Sequence, residues 1–527
     1  MIGNFCNSIL KRKSAGIFIP LFSMRSLSDW GIGDFKSFCS WIKWAEQNKI
    51  SIIQILPINE IAPESTSPYS SLSAFAIDPI YLTVSEIKDV KESSKILELI
   101  KSEKISRLIS ALNQSETVEY ANVRKLKYKI FTLAFERFFK NHWINNTERA
   151  LEFKEFIKDN DYWVESYSVF RMLKDIHRWH SWTYWQVKLK SCDENFIKQY
   201  ASHHSYKVLF YKYLQWLCDV ELKTVSACAK KCNVSLFGDV PFMINQESAD
   251  VWANQDIFDI SLEIGSPPDD FNSVGQKWGL PSYNWWNLEA SSFKWWRERV
   301  RFFCKFYDFF RMDHIVGFFR TWIISKRHKK PDFDLPNEDE QKARGERFLS
   351  MICEEAKNSC PVAEDLGVIP DFVKETLLRF NIPGYKVFRW QLEGDDFIDP
   401  KNYPEVSLAT TSTHDSSTLK QWWNHIDAPK RDSAWKMLKG LGTAPIFDDE
   451  VHRVILKSMF ESSSSLVILP VQDIFGFGDR INTPGTVSEK NWIYRFNCPV
   501  EEIDKTSKYR EILDFYAKGV VESGRYK

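Results

Sequence analysis

The chain has 527 residues, 44% of them hydrophobic and 27% charged, enough to bury a large core without disulfide or metal staples. Lys plus Arg number 70 and Asp plus Glu number 70, and a formal net charge of zero offers no field for nucleic acid or an anionic membrane. No stretch reaches the roughly 18 consecutive apolar residues of a membrane span, and Lys11, Arg12 and Lys13 follow rather than precede the first apolar patch, the reverse of a secretory signal, so a cytoplasmic protein is expected.

Short runs rich in β-formers recur at 16–22, 51–57, 234–240, 306–312, 361–363, 385–390, 407–411 and 466–471, most of them ending in a turn or polar cluster. Helical patterns lie between most of them, as at 34–46 and 371–380. Strand alternating with helix predicts a parallel sheet, and eight such strands predict an α/β fold of the (β/α)8 TIM-barrel type. The second and third runs stand about 175 residues apart, too far for a loop. The middle of that gap, 88–231, is charged and helical in pattern, as at 123–139 and 206–230, and predicts a mainly helical insertion between the second and third strands. The barrel is then shared between 1–87 and 232–527. The polar stretch 326–347 reads as a surface excursion.

Gly31, Gly33 and Asp34 read as a tight turn with a helix cap, since the third glycine of a dinucleotide fingerprint is missing. No Walker motif is present either, so no nucleotide cofactor is expected. The ten cysteines are scattered, which suits reduced thiols. Cys228 and Cys232 read as a helical i,i+4 pair, with no second pair at zinc-site spacing, and no metal is expected.

In a parallel barrel the working groups stand where strands end. Four runs end in ionisable residues: Asp239 after the third, Arg311-Met312-Asp313-His314 after the fourth, Glu364-Asp365 after the fifth, and His414-Asp415 after the seventh. Carboxylates converging on one mouth repel, and the separation of their proton affinities is the mark of acid/base chemistry. Arg311 and Asp313 are two apart on a strand and point the same way, so the guanidinium favours the charged carboxylate a nucleophile needs. Glu364 has no basic neighbour in sequence and is the better candidate for a protonated acid. An Arg-x-Asp pair is also a common plain ion pair; its company at the other strand ends favours function. His314 and His414 beside these acids read as hydrogen-bonding groups, because the spacing of a metal site is absent. Two stretches punctuated by Gly and Pro, 265–279 and 480–486, read as ligand loops outside regular elements; the first carries rings, including Trp278, and the second carries Asn482.

These residues resemble a known family, the 4-α-glucanotransferases or amylomaltases (glycoside hydrolase family 77, in the α-amylase superfamily). The resemblance is carried in the family's order by Ser67-Pro68-Tyr69-Ser70-Ser71, Gly238-Asp239-Val240-Pro241, Ser248-Ala249-Asp250-Val251-Trp252 and the 265–278 loop. It continues through Arg311-Met312-Asp313-His314, Ala363-Glu364-Asp365-Leu366-Gly367, Thr413-His414-Asp415 and Asn482-Thr483-Pro484-Gly485-Thr486. It implies Asp313 as nucleophile, Glu364 as general acid/base and Asp415 as a third carboxylate on sugar hydroxyls. It implies Arg311, His314 and His414 as donor-site contacts, Tyr69, Trp278 and Asn482 as substrate-binding positions, and Asp239 as a further group at the site. The implied partners are an α-1,4-glucan donor and a glucose, maltooligosaccharide or glycogen acceptor. The wording departs from the family's commoner form at 246–247, 416–417 and 326–347. An α-glucan hydrolase of the same superfamily and a non-catalytic glycan-binding barrel are the rival expectations.

Overall fold

Strands buried on both faces by flanking helices read as unbroken apolar runs rather than alternating ones, and the eight runs become such strands. In the computed structural model, which describes residues 4–268, 275–325, 330–440, 443–486 and 488–526, they are β1 (Ser14–Phe18), β2 (Ile52–Gln54), β3 (Ser235–Val240), β4 (Phe309–Met312), β5 (Cys360–Ala363), β6 (Gly384–Val387), β7 (Ser407–Thr410) and β8 (Leu466–Pro470). All pair in parallel, each beside its sequence neighbour, and β8 pairs β1 to close the barrel. Ile17 lies opposite Ile53, and Phe237 opposite Phe309, all fully buried. Each side chain of this kind contributes roughly 1.5–3 kcal/mol by burial.

Two of the runs that overshoot their strands do so for a visible reason. The first continues apolar to Phe22, but Pro20 has no N–H for the ladder, and the chain turns through a 3-10 segment at Leu21–Ser23. The sixth turns at Phe388–Trp390, which swings Arg389 out of strand register. The turn at Gly31–Gly33 leads into the helix Phe35–Gln47, where the Asp34 side chain accepts from the Ser37 N–H at the first turn.

Between β2 and β3 the longest helices are Tyr120–Phe138, Asp161–Ile176 and Ser205–Lys231. The last is buried all round from Tyr211 to Cys218, and beyond that Leu222, Val225 and Ala229, at three-to-four-residue spacing, turn one stripe inward. Two buried acids on the segment leaving β2 meet arginines from these helices, Glu60 with Arg171 and Asp78 with Arg124, and Asp89, at the start of the insertion, meets Arg149 on the helix Glu148–Asp159. Among the described residues no helix is long and apolar enough to cross a membrane.

Three expectations need correction. The stretch 265–279 is not outside regular structure. Its flanks belong to antiparallel strands, Phe258–Ser266 and Gln276–Tyr283, joined by Trp322–Ser325 and Asp332–Phe333 into a four-stranded sheet. The strand-breaking Pro281 lies opposite Glu263, just past a register shift that absorbs it. Positions 269–274 of that stretch lie outside the described residues, as do 326–329. The stretch 326–347 is not simply a surface excursion. It runs into a helix, Glu338–Glu355, capped by Asn337, acidic in its first turn and burying Gln341, Arg344 and Gly345, with Arg344 paired to Asp334. Finally, the cysteines are not all free thiols: Cys6 on the helix Asn4–Leu10 is joined to Cys360 at the start of β5. A pairing across 354 residues leaves no trace in local spacing.

Candidate active site

The carboxyl ends of the strands open on a cavity of about 510 Å³, lined by all ten candidate residues: Tyr69, Asp239, Trp278, Arg311, Asp313, His314, Glu364, His414, Asp415 and Asn482. The volume falls within the range of ordinary small-molecule sites.

Arg311 is the hub. β4 pairs with β3 on one side and β5 on the other, with Asp239 opposite Arg311 and Ala363 opposite Met312. That register puts one guanidinium among three acids. Nη1 donates to Asp239 at 3.0 and 3.1 Å, and Nη2 lies 2.7 Å from Asp313 Oδ1 and 3.6 Å from Glu364 Oε2. The last two distances cap the separation of those carboxyl oxygens at about 6.3 Å. This is shorter than the roughly 6.5–9.5 Å of inverting carboxylate pairs and compatible with the roughly 5–5.5 Å of retaining ones. Arg311 is itself buried, which would lower its proton affinity, but Asp239 and Asp313 outweigh burial and hold it charged.

The acids are then pushed apart by their surroundings. Burial raises Glu364 to about 8, against the opposing pull of Arg311 and of the His314 N–H, which donates to Oε2 at 2.8 Å. Burial also raises Asp239, despite its contact with Arg311. Asp415 goes the other way. Burial pushes it up, but His414 and the Asn482 amide, which donates to Oδ1 at 2.6 Å, more than reverse this and hold it well below the usual carboxylate range. Its side chain faces the cavity and stays 45% exposed. A protonated acid beside charged ones is the division of labour that acid/base catalysis at neutral pH requires.

The neutral groups are set with similar economy. The Tyr69 hydroxyl donates to Asp239 Oδ2 at 2.8 Å, its ring stacks on His414 at 5.4 Å, and burial followed by Asp239 keeps it an un-ionised donor. His314 has a left-handed backbone, φ 47°, which aims its N–H at Glu364. Burial lowers its imidazole to about 4, and Trp278 meets it edge-on at 4.8 Å. Gly317 permits this turn, since a Cβ there would stand 2.7 Å from the Phe242 ring and 2.8 Å from the His314 ring.

Several lining residues escaped sequence reasoning. Gln54 donates to the Tyr385 hydroxyl at 2.9 Å; a lone polar residue inside the apolar run 51–57 was the available signal. Trp492 packs 5.8 Å from both Tyr69 and His414, and Gln276 and Trp390 complete the rim. Nothing in the local pattern marks Trp492, because it comes from an irregular segment after β8.

A parallel barrel with a close, unequal pair of carboxyls at its mouth is equipped for chemistry at the anomeric carbon of a sugar. The sequence profile of the 4-alpha-glucanotransferase family matches residues 19–501, and the chain belongs to that family, glycoside hydrolase family 77. The 4-alpha-glucanotransferase of Chlamydia pneumoniae is 34% identical over 518 residues, covering 96% of this chain and 95% of that one. That of Clostridium butyricum is 28% identical over 505 residues, covering 93% and 98%. The amylomaltase of Streptococcus agalactiae, solved in complex with acarbose, superposes with a TM-score of 0.82 at 22% identity, covering 98% of this chain and all of that one, and shares the fold. The enzyme is a glycosyltransferase acting on α-1,4-glucans, and of the rival expectations neither the hydrolase nor the non-catalytic barrel is favoured.

Proposed function

We propose that the transfer proceeds by retaining double displacement, with Asp313 as nucleophile and Glu364 as acid and then base. The observation that carries this reading is the pair of contacts from Arg311 Nη2, which keeps the two carboxyls close while burial keeps Glu364 protonated. Glu364 gives its proton to the glycosidic oxygen as Asp313 Oδ1 or Oδ2 bonds to the anomeric carbon; the C–O bond breaks and the shortened glucan leaves. Glu364, now ionised, takes the proton of an acceptor 4-hydroxyl, whose oxygen displaces Asp313 and restores the α-configuration. Asp415 and Asn482 hold ring hydroxyls, and Tyr69, Asp239, Arg311, His314 and His414 shape the donor site around the sugar at the cut. Trp278, against His314, covers the intermediate from water, so that a sugar hydroxyl accepts in its place.

The acceptors in this reading are glucose, maltooligosaccharides or glycogen, in the cytoplasm. The barrel residues 1–87 and 232–527 supply the chemistry, and 88–231 forms the helical insertion, a division supported by the helices that lie between β2 and β3.

The test is to incubate the protein with maltotriose and follow both product size and reducing ends. A ladder of longer oligomers at constant reducing ends is the expected result. Shorter products with rising reducing ends would sink the transferase reading and leave a hydrolase. Asp313→Gly assayed with azide and an activated α-glucosyl donor gives a second check: recovery of donor cleavage with a β-glucosyl azide product is expected of a lost nucleophile.

A further inference from the structure

Asp415 and His414 sit on a segment, 411–419, that joins β7 to the helix Leu419–His425. We propose that Asp473 and Arg389, neither of which lines the cavity, clamp this segment from two sides and thereby position the third carboxylate. The proposal rests on the reading of Asp415 given above.

Asp473 lies in the short helix Val471–Phe475, directly after β8, and is 1% exposed. Its carboxylate accepts from Thr411 Oγ1 at 2.6 Å and Ser412 Oγ at 2.5 Å, where the segment begins, and from the Leu419 N–H at 2.7 Å, where it ends. One buried acid thus ties both ends of the loop, and its own backbone carbonyl is fixed in turn by a hydrogen bond from His452 Nε2 at 2.7 Å.

Arg389 reaches the same segment from the end of β6. It is 6% exposed, donates from Nη1 to Ser417 Oγ at 2.9 Å and from Nε to the Thr411 carbonyl at 3.4 Å, and lies over the Trp422 ring at 5.3 Å. Its Nη2 is buried with no hydrogen-bond partner, and no carboxylate among the described residues is in ion-pair contact with it. A buried guanidinium without a carboxylate in contact is costly. Asp473 is the acid whose field supports it.

By contrast, among the described residues Asp415 itself is held at its tip and carbonyl, by Asn482, His414 and Arg480. Those contacts orient the carboxylate once the backbone is in place; the clamp sets where the backbone lies. Both residues are therefore positioning residues, acting through the segment rather than on sugar.

The test is a double-mutant cycle on maltotriose transfer, with the folded fraction checked by circular dichroism and thermal midpoint. Asp473→Asn should lower kcat about 10–100-fold with KM changed less than about threefold, the scale of a 1 Å misplacement. Arg389→Met should lower kcat less, and Arg389→Lys should recover part of that loss. In an Asp415→Asn background, adding Asp473→Asn should lower kcat by clearly less than it does in the wild type, because the carboxylate it positions is already gone and only His414 still depends on the segment. A merely structural role would multiply the two losses, and that result, or unchanged kcat in Asp473→Asn, overturns the proposal. Amide hydrogen exchange over 411–419 reads the clamp without turnover: it should quicken in Asp473→Asn and stay at the wild-type level in Asp415→Asn. Thus a wild type that binds but does not transfer would count against the proposed reaction alone, while unchanged exchange in Asp473→Asn would overturn the clamp. Should Asp473→Asn fail to fold, the Arg389→Met and Arg389→Lys pair decides it by the same criterion.

Discussion

The molecule buries groups of carboxylates beside arginines in two places, and the two are built on opposite plans. Where the helical insertion meets the segment leaving β2, each acid has its own arginine. Asp89 takes both of its bonds from Arg149 at 2.7 Å and a third from the Tyr213 hydroxyl, and Asp78 takes two from Arg124. At the barrel mouth three acids, Asp239, Asp313 and Glu364, share the single guanidinium of Arg311. The first arrangement gives each buried acid an opposite charge and ties the insertion's helices to one another and to the segment leaving β2. The second sets three acids around one cation in a buried mouth, and burial, with Asp313 beside it, keeps Glu364 protonated, as a general acid needs. Burial also raises Glu60, but that acid has an arginine of its own, whereas Glu364 shares one.

The comparison breaks most sharply at Asp313. Asp313→Asn should cut transfer from maltotriose by about 10⁴-fold or more, as loss of a nucleophile does, with the thermal midpoint unchanged or raised, because the shared guanidinium then serves one acid fewer. Near-normal turnover would remove Asp313 from the mechanism. The insertion cluster should answer in the opposite way. Asp89→Asn leaves Arg149 buried without its partner and should destabilise the fold by about 3–5 kcal/mol in urea unfolding. The kcat of the folded enzyme should stay within about twofold, since Asp89 is remote from the cavity lining. A loss of kcat comparable to the loss of stability would mean that the clusters are not separate in function.

How far the sequence shows these two plans differs as well. The barrel was legible because eight buried strands leave apolar runs, and the acids were legible because strand ends are where a barrel works. The hub was only half legible. Arg311 and Asp313 share a strand face by their spacing, but the reach of Arg311 to Glu364 depends on β4 lying beside β5, a pairing between residues about 50 apart. The lack of a basic neighbour to Glu364 in sequence was thus no guide to its surroundings; burial, not isolation from cations, keeps it protonated. The same limit explains the sheet at 258–283, whose third strand comes from Trp322–Ser325, and the Cys6–Cys360 pair. In the insertion the helices were visible from their periodicity, while the arginine partners of Asp78 and Asp89 were not, because ion pairs 46 and 60 residues apart carry no spacing signal.

The finest test of the shared-arginine plan is the pH dependence of Glu364, raised to about 8 by burial against an ordinary value of 4.5. A general acid works only while protonated, so kcat/KM for maltotriose should fall along an alkaline limb with its midpoint near 8. The stability consequence has a definite sign. Below about 4.5 the carboxyl is protonated in both folded and unfolded chains and has no effect. Between about 4.5 and 8 the unfolded chain releases the proton and the folded one retains it, so this group makes the fold progressively less stable as pH rises, and the effect levels off above about 8. Glu364→Gln keeps the shape and removes the titration. Its thermal midpoint should therefore match that of the wild type at about pH 4.5 and exceed it increasingly up to about pH 8, reflecting a stability difference on the order of a few kcal/mol at most. A constant difference across that range would mean that Glu364 is ionised in the folded protein, and that Arg311, rather than burial, governs its charge.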